Sequence, residues 1–91
     1  MIKNFKSNQL KKFYTKGETR HVEAKLVKRI ALLLGALNAA SDVNVLTVAG
    51  YGFHVLQGQP KRYALKVDKN WRITFGWNGT EAIDVDFEDY H

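Results

Sequence analysis

The sequence predicts an α+β fold in which two N-terminal helices pack on one face of a small, mainly antiparallel β-sheet. Two features of the pattern indicate this class. Residues 7–40 repeat apolar side chains every three or four positions, as amphipathic helices do, whereas residues 53–87 alternate apolar and polar side chains in short runs. The loops between these runs are short, which favours antiparallel neighbours. The 91 residues are enough for one domain, residues 1–91, with one modest core.

The first half of the chain is predicted to be helical after a short opening strand at residues 2–5. Ser7 is a candidate N-cap and Gly17 a candidate C-cap, so they bound a first helix. A stronger helix is predicted within residues 20–40, because five apolar residues lie along one face there: Val22, Leu26, Ile30, Leu33 and Leu37. Residues 38–44 are expected to form a loop.

The second half is predicted to contain a strand near residues 53–56 and then three strands, YALKV, WRITFGW and EAIDVDF. We expect three-residue loops at 68–70 and 78–80, because a one-residue slip would turn core side chains outward. This register forms three rows of neighbouring side chains across the strands. The rows are Tyr63, Phe75 and Ile83; Leu65, Ile73 and Val85; and Val67, Trp71 and Phe87. A two-residue Asn-Gly turn is rejected because it would set Ile73 opposite Asp84.

One sheet face is then apolar and the other polar. The polar side chains are Lys66, Arg72, Thr74, Asp84 and Asp86, with Arg72 between Lys66 and Asp86. We expect the helices to cover the apolar face and to leave the polar face open as a shallow concave surface.

The composition excludes several classes of protein and of chemistry. The chain has no cysteine, so disulfides, zinc–thiolate sites and thiol nucleophiles are excluded. The N-terminus lacks the apolar core of a signal peptide, and the longest apolar run, IALLLGAL, is too short to span a bilayer. We therefore expect a cytosolic protein without a membrane partner.

The charge of the chain is unevenly distributed. Residues 1–80 hold all 14 lysines and arginines and only four acids, whereas residues 81–91 hold five acids and no base. A small, strongly basic surface suits a phosphate backbone, because each lysine or arginine that meets a phosphate releases condensed counterions. The alternative is that these lysines form an ordinary solvated surface.

No phosphate-binding glycine loop, zinc spacing or serine nucleophile motif is present. The residues suited to chemistry are four catalytic candidates, His54, Arg72, Tyr90 and His91, and three basic RNA-binding candidates, Lys61, Arg62 and Lys66. They suit RNA cleavage, in which the ribose 2′-hydroxyl is the nucleophile and the protein supplies a base, an acid and a cation. No metal or cofactor is required.

Each catalytic candidate also has a structural interpretation. His54 can be a structural histidine, and Arg72 can pair with Asp86 across the strands. Tyr90 can cover the core, and His91 can be a mobile end. The residue types alone therefore leave the enzymatic interpretation open.

Five segments together resemble a known family: MIKNFK, the helix pair, FHVLQG, NWRITF and the final FEDYH. Over essentially the whole chain they are similar to the HigB toxins of HigB–HigA toxin–antitoxin systems, within the RelE/ParE superfamily. The resemblance implies a RelE-like fold and a ribosome-dependent mRNA endonuclease that cuts codons in the A site of the 30S subunit. It also implies a partner, a HigA-like helix-turn-helix antitoxin.

The resemblance assigns function to His54, Arg72, Tyr90 and His91. Arg72 would hold the scissile phosphate, His54 or His91 would transfer protons, and Tyr90 would orient the base or stack on a nucleotide. One position departs from the family, because Gln57 stands where a lysine is usual and cannot neutralise a phosphate. Lys61, Arg62 or Lys66 would then have to substitute.

Two other functions remain open at this stage. One is a ParE-like toxin that binds a protein such as gyrase without cleaving RNA. The other is a ribosome- or RNA-binding homologue with weakened catalysis, which Gln57 suggests.

Overall fold

A computed structural model of the chain describes residues 1–90. Two helices, α1 (Asn8–Lys16) and α2 (Val27–Ala39), precede four strands, which are β1 (His54–Leu56), β2 (Arg62–Lys66), β3 (Trp71–Trp77) and β4 (Ala82–Asp89). Two 3-10 turns, Ala24–Leu26 and Val43–Thr47, complete the order. The strands form one antiparallel sheet in the order β1-β2-β3-β4, which confirms the predicted α+β class. Within the described residues, no helix is long and apolar enough to cross a membrane.

Helix α1 begins and ends where its capping residues predict. The Ser7 hydroxyl accepts a hydrogen bond from the N–H of Leu10 at 3.1 Å. At the other end Gly17 adopts φ 68°, and its N–H points to the carbonyls of Lys12 and Phe13. A glycine suits this left-handed position because it has no Cβ to clash.

Helix α2 starts later than predicted, at Val27, and a 3-10 turn precedes it. Neither Glu23 nor Leu26 provides a side-chain cap, and the ψ of 133° at Glu23 is not helical, so the α-helix does not continue toward residue 20. The predicted face is nevertheless correct, since all five of its apolar residues are buried. The helix continues to Ala39, so the predicted loop at 38–44 is shorter than expected.

The core lies between the helices and one face of the sheet. Side chains of α1 and α2 form one continuous apolar cluster with those of β2, β3 and β4, including Leu10, Leu33, Leu65, Ile73 and Val85. Each of these five residues is fully shielded from solvent. The helices therefore cover the apolar face, as the alternation of the strands predicted.

The first residues of the chain run alongside the outer edge of β4. Ile2 and Phe5 form parallel bridges to Ala82 and Val85. The N–H of Lys3 donates to the carbonyl of Ala82 at 2.8 Å. The predicted opening strand is thus reduced to two bridges, which cover an edge that would otherwise expose unpaired backbone groups.

The loop between β3 and β4 has four residues, so the predicted three-residue loop is wrong. Trp77 pairs with Ala82, which leaves Asn78 to Glu81 in the loop. The side-chain oxygen of Asn78 accepts hydrogen bonds from the N–H groups of Thr80 and Glu81, and these bonds hold the longer turn.

The predicted register between β3 and β4 is also wrong, because a β-bulge interrupts β4. The pairs on either side of the bulge are Gly76 with Ile83 and Thr74 with Asp86. Asp84 and Val85 therefore lie opposite Phe75 alone, and Asp84 adopts φ 49°. Beyond the bulge Ile73 pairs with Phe87 rather than with Val85.

The longer loop and the bulge together change the neighbours of Arg72. Arg72 lies opposite Glu88, not Asp86, whereas its predicted pairing with Lys66 on β2 is confirmed. Ile83 moves to the face away from the helices, because its side chain lies over Gly76 there. Without the extra residue, strict alternation would have turned Asp84 and Asp86 toward the core.

Candidate active site

The sheet surface that faces away from the helices, called the open face below, carries most of the candidate residues. Strand pairing and alternation set two rows across it. One row contains Lys66, Arg72 and Glu88, and the other contains His54, Ala64, Thr74 and Asp86. Charged side chains from three strands are thereby placed within one surface.

Arg72 is partly enclosed at the start of β3, with 23% of its side chain exposed. Its Nη2 lies 3.9 Å from Oε1 of Glu88, and its Cζ lies 5.2 Å from the centre of the Tyr90 ring. Its Nε is shielded from solvent and has no hydrogen-bond partner among the described residues. The end of the guanidinium is partly exposed and only loosely paired with Glu88, so it has donor capacity that an anionic ligand could use.

A hydrogen-bonded chain runs beside Arg72. Nη2 of Arg62 lies 3.1 Å from Oγ1 of Thr74, and the Thr74 hydroxyl is also bonded to Oε2 of Glu88. Because arginine can only donate, the Thr74 oxygen accepts from Arg62 and its single proton goes to Glu88. Thr74 is fully buried although it belongs to the open face, so this chain has a fixed orientation.

His54 is exposed at the start of β1 and pairs with Ala64. The segment before it is attached to β2, since the N–H of Lys66 donates to the carbonyl of Tyr51 at 3.0 Å. Gly52 has φ +63°, and a Cβ there would lie 2.5 Å from Cβ of Lys66. A larger residue at Gly52 would push this segment away from β2 and displace His54 with it.

Tyr90 is held beside the open face by its backbone. Its N–H donates to the carbonyl of Asn70 at 2.9 Å, which ties the end of β4 to the loop between β2 and β3. The ring then lies over Arg72 rather than over the core. His91, the fourth catalytic candidate, lies outside the described residues.

The three basic candidates differ in their surroundings. Lys61 and Lys66 are exposed, whereas Arg62 is half-buried. Nη2 of Arg62 donates to Thr74 and, at 2.9 Å, to the carbonyl of Asp84. Arg62 thus stabilises the bulge and the buried hydroxyl, a structural task that the sequence did not indicate, and its contact with RNA stays a prediction.

Sequence reasoning missed Glu88 as a member of this group. Asp86 was predicted beside Arg72 on the assumption of a three-residue loop before β4 and of regular alternation through that strand. The four-residue loop and the extra residue at the bulge each shift the pairing by one position, and together they bring Glu88 opposite Arg72. The sequence signal that could have revealed the bulge is Asp84, since aspartate tolerates the left-handed backbone that many bulges need.

Two cavities lie outside this group. One, of about 240 Å³, is lined by Val22, Leu26, Trp71 and Phe87 among others. The other, of about 390 Å³, is formed by the first five residues together with α1 and Asn38. Neither lining includes Arg72 or His54, so these two cavities are separate from the candidate site.

Comparison with known proteins gives two results. Residues 3–91 match a family described as the RelE-like toxin HigB of type II toxin–antitoxin systems. The chain is also 39% identical, over 92 aligned positions covering all of both chains, to a protein of Proteus vulgaris named Endoribonuclease HigB.

Proposed function

The chain belongs to the family of RelE-like HigB toxins of type II toxin–antitoxin systems, and we propose that it is an endoribonuclease that cleaves mRNA on the ribosome. The name of the Proteus vulgaris relative supports the reaction, since it describes an endoribonuclease. The open face supports it independently, because it combines the cation Arg72, the exposed His54 and the ring of Tyr90.

The observation that carries this proposal is the environment of Arg72. A guanidinium that is partly exposed on the open face and only loosely paired with Glu88 can bind a phosphodiester through paired hydrogen bonds. Such bonds stabilise the negative charge that grows on the phosphate during attack by the 2′-hydroxyl.

We assign proton transfer to the histidines and nucleotide positioning to Tyr90. Imidazole serves as acid or base near neutral pH, so His54 or His91 can protonate or deprotonate the ribose oxygens. The Tyr90 ring next to Arg72 can stack on a base splayed out of the message.

The same proposal covers the partners. A toxin of this family implies an antitoxin and an RNA substrate. We propose that the antitoxin is a HigA-like helix-turn-helix protein, and that the RNA is presented as a codon in the ribosomal A site. Lys61 and Lys66 are exposed and free to contact phosphates, which would offset the uncharged Gln57.

The test is cleavage of mRNA by purified protein on programmed ribosomes, together with growth arrest on expression without antitoxin. Arg72→Ala is expected to slow cleavage about 100-fold or more, because it removes the phosphate-binding donors. Arg72→Lys should recover only part of the rate, since an ammonium cannot form the paired bonds. His91→Ala should also relieve growth arrest.

Arg20→Ala is the matched control, because Arg20 is an exposed arginine before α2 and should leave the rate unchanged. Codon-phased transcript ends that depend on translation would support the proposal. Full cleavage by Arg72→Ala, or arrested cells with intact mRNA and DNA damage signalling, would reject it in favour of a ParE-like toxin.

A further inference from the structure

The open face holds a carboxylate that none of the steps above uses. Glu88 lies directly across from Arg72 on the neighbouring strand, and 37% of its side chain is exposed. The two residues are too far apart for a strong ion pair, since Oε1 and Nη2 are 3.9 Å apart. A contact of this length between partly exposed groups contributes little to stability, so its position calls for another explanation.

The carboxylate of Glu88 is held in one orientation. Oε2 receives the proton of the buried Thr74 hydroxyl, whose oxygen in turn accepts from Arg62. Oε1 is therefore the oxygen directed toward Arg72 and toward any ligand that Arg72 binds. A carboxylate fixed by a buried donor is suited to accept a proton at a defined point.

The strand order places Glu88 and His54 on opposite sides of Arg72. Glu88 belongs to β4, one strand spacing or about 5 Å from β3, whereas His54 belongs to β1, two spacings away on the other side. In phosphoryl transfer the attacking and leaving oxygens lie roughly in line with the phosphorus. A base and an acid must then approach the phosphate from opposite sides, and the strand order sets these two residues on either side of Arg72.

We propose that Glu88 is the general base of the cleavage reaction, with Thr74 and Arg62 as its positioning residues; this inference rests on the proposed function. Oε1 of Glu88 removes the proton of the ribose 2′-hydroxyl as the bond from O2′ to phosphorus forms. The bond from phosphorus to O5′ breaks, and the departing oxygen takes a proton from His54. The products are a 2′,3′-cyclic phosphate and a 5′-hydroxyl, and solvent restores both protonation states.

The other acids on the open face are less suited to this step. Asp84 accepts a hydrogen bond from the side-chain amide of Asn4 at 2.7 Å. Asp86 accepts from the N–H of Phe87 at 2.9 Å and lies in the row of Thr74, not of Arg72. Among the acidic residues of the two rows, Glu88 lies in the same row as Arg72.

The experiment is single-turnover cleavage on saturating programmed ribosomes with Glu88→Gln. Glutamine keeps an oxygen that can accept from Thr74 but cannot take up a proton at neutral pH. We expect the cleavage rate to fall about 100-fold or more, as for loss of a general base, while the affinity for the ribosome is retained. Asp86→Asn is the matched control and should stay within about threefold of wild type, since Asp86 is outside the proposed step.

A modified message separates base from acid. Sulfur in place of the 5′-bridging oxygen leaves without a proton, so this substrate should restore cleavage by His54→Ala but not by Glu88→Gln. Thr74→Val removes the hydroxyl that orients Glu88, and we expect a roughly tenfold slower rate that Thr74→Ser restores. A requirement for the hydroxyl itself, rather than for the shape of the side chain, would not follow from a purely structural role.

Two results would overturn the inference while leaving the proposed nuclease intact. Wild-type cleavage by Glu88→Gln, with tighter RNA binding, would make Glu88 a simple counterion of Arg72. Recovery of Glu88→Gln on the sulfur substrate would make it the acid instead. Failure of the wild-type protein to cut any message would reject the nuclease itself.

Discussion

The side chain of Asp68 holds the turn that leads into β3. Its carboxylate accepts hydrogen bonds from the N–H groups of Asn70 at 2.8 Å and Trp71 at 2.9 Å. The bond from Asn70 is the main cause that lowers the pKa of Asp68; partial burial opposes it, while Trp71 and the charges of Lys25 and Lys69 add to the lowering. The turn that delivers Arg72 to the open face thus favours the ionised form of this carboxylate.

A pH-dependent loss of stability follows from this shift. Because the pKa is lower in the folded protein, the charged form of Asp68 stabilises the fold at pH values above its unfolded pKa of about 3.9, and this contribution disappears as the pH falls through the folded value. Asp68→Ala should therefore destabilise the protein more at pH 7 than at pH 2.5, as measured by urea unfolding.

Asp68→Asn provides the comparison, since it keeps an acceptor oxygen but does not titrate in this range. Equal destabilisation by Asp68→Ala at both pH values would show that the charge of Asp68 is irrelevant to the turn.

At the scale of the element, the bulge in β4 determines which side chains share the open face. Asp84 supplies the left-handed residue, and its N–H and carboxylate form two bonds with the side chain of Asn4 at 3.1 and 2.7 Å. Its carbonyl accepts from Arg62. The bulge is therefore supported from the N-terminal segment on one side and from β2 on the other.

The left-handed backbone of Asp84 predicts which of two substitutions at this position gives the more stable protein. Asp84→Ala and Asp84→Gly both lose the carboxylate, but alanine also carries a Cβ that the positive φ disfavours. We expect Asp84→Gly to be more stable than Asp84→Ala by about 1 kcal/mol in urea unfolding.

The same pair of substitutions at Asp86 is the control, because Asp86 has ordinary strand geometry. Glycine should be the less stable variant there, since it weakens a strand interior. The same order at both positions would contradict the assignment of the bulge.

For the whole molecule, Arg29 joins the helical layer to the sheet. From α2 its Nε and Nη2 donate to the carbonyl of Lys66 at 3.1 and 2.7 Å, and Nη2 also donates to the carbonyl of Gly50 at 2.6 Å. Gly50 precedes the segment that carries His54, and Lys66 ends β2. One guanidinium thus holds three parts of the chain together.

We predict that Arg29→Ala lowers the free energy of unfolding by about 1 kcal/mol, since its hydrogen bonds are partly exposed to water. Lys28→Ala changes a neighbouring cation on the same helix that is exposed, and should alter stability by no more than about 0.5 kcal/mol. Chemical denaturation of both variants measures the difference. Similar effects of the two substitutions would mean that Arg29 acts only through its charge.

Much of the site was predictable because each residue type carries local information. Alternation in β2 and β3 placed Lys66, Arg72 and Thr74 on one face, and the caps of α1 were readable from Ser7 and Gly17. Residue identity could not predict that Thr74 is fully buried, because its burial depends on Arg62 and Glu88 closing over it.

By itself, the sequence determined the α+β class, the buried faces and the membership of a toxin family, because these depend on periodicity and on residues adjacent in the chain. Only the tertiary structure decided that Glu88, not Asp86, lies opposite Arg72. The physical reason is that the loop before β4 is one residue longer than predicted and that a bulge adds a second residue, and this bulge is supported by a hydrogen bond between Asn4 and Asp84, 80 positions apart. A local sequence pattern cannot show a contact between residues so far apart in the chain. The bulge that this contact supports nevertheless changes the neighbours of every later residue in β4.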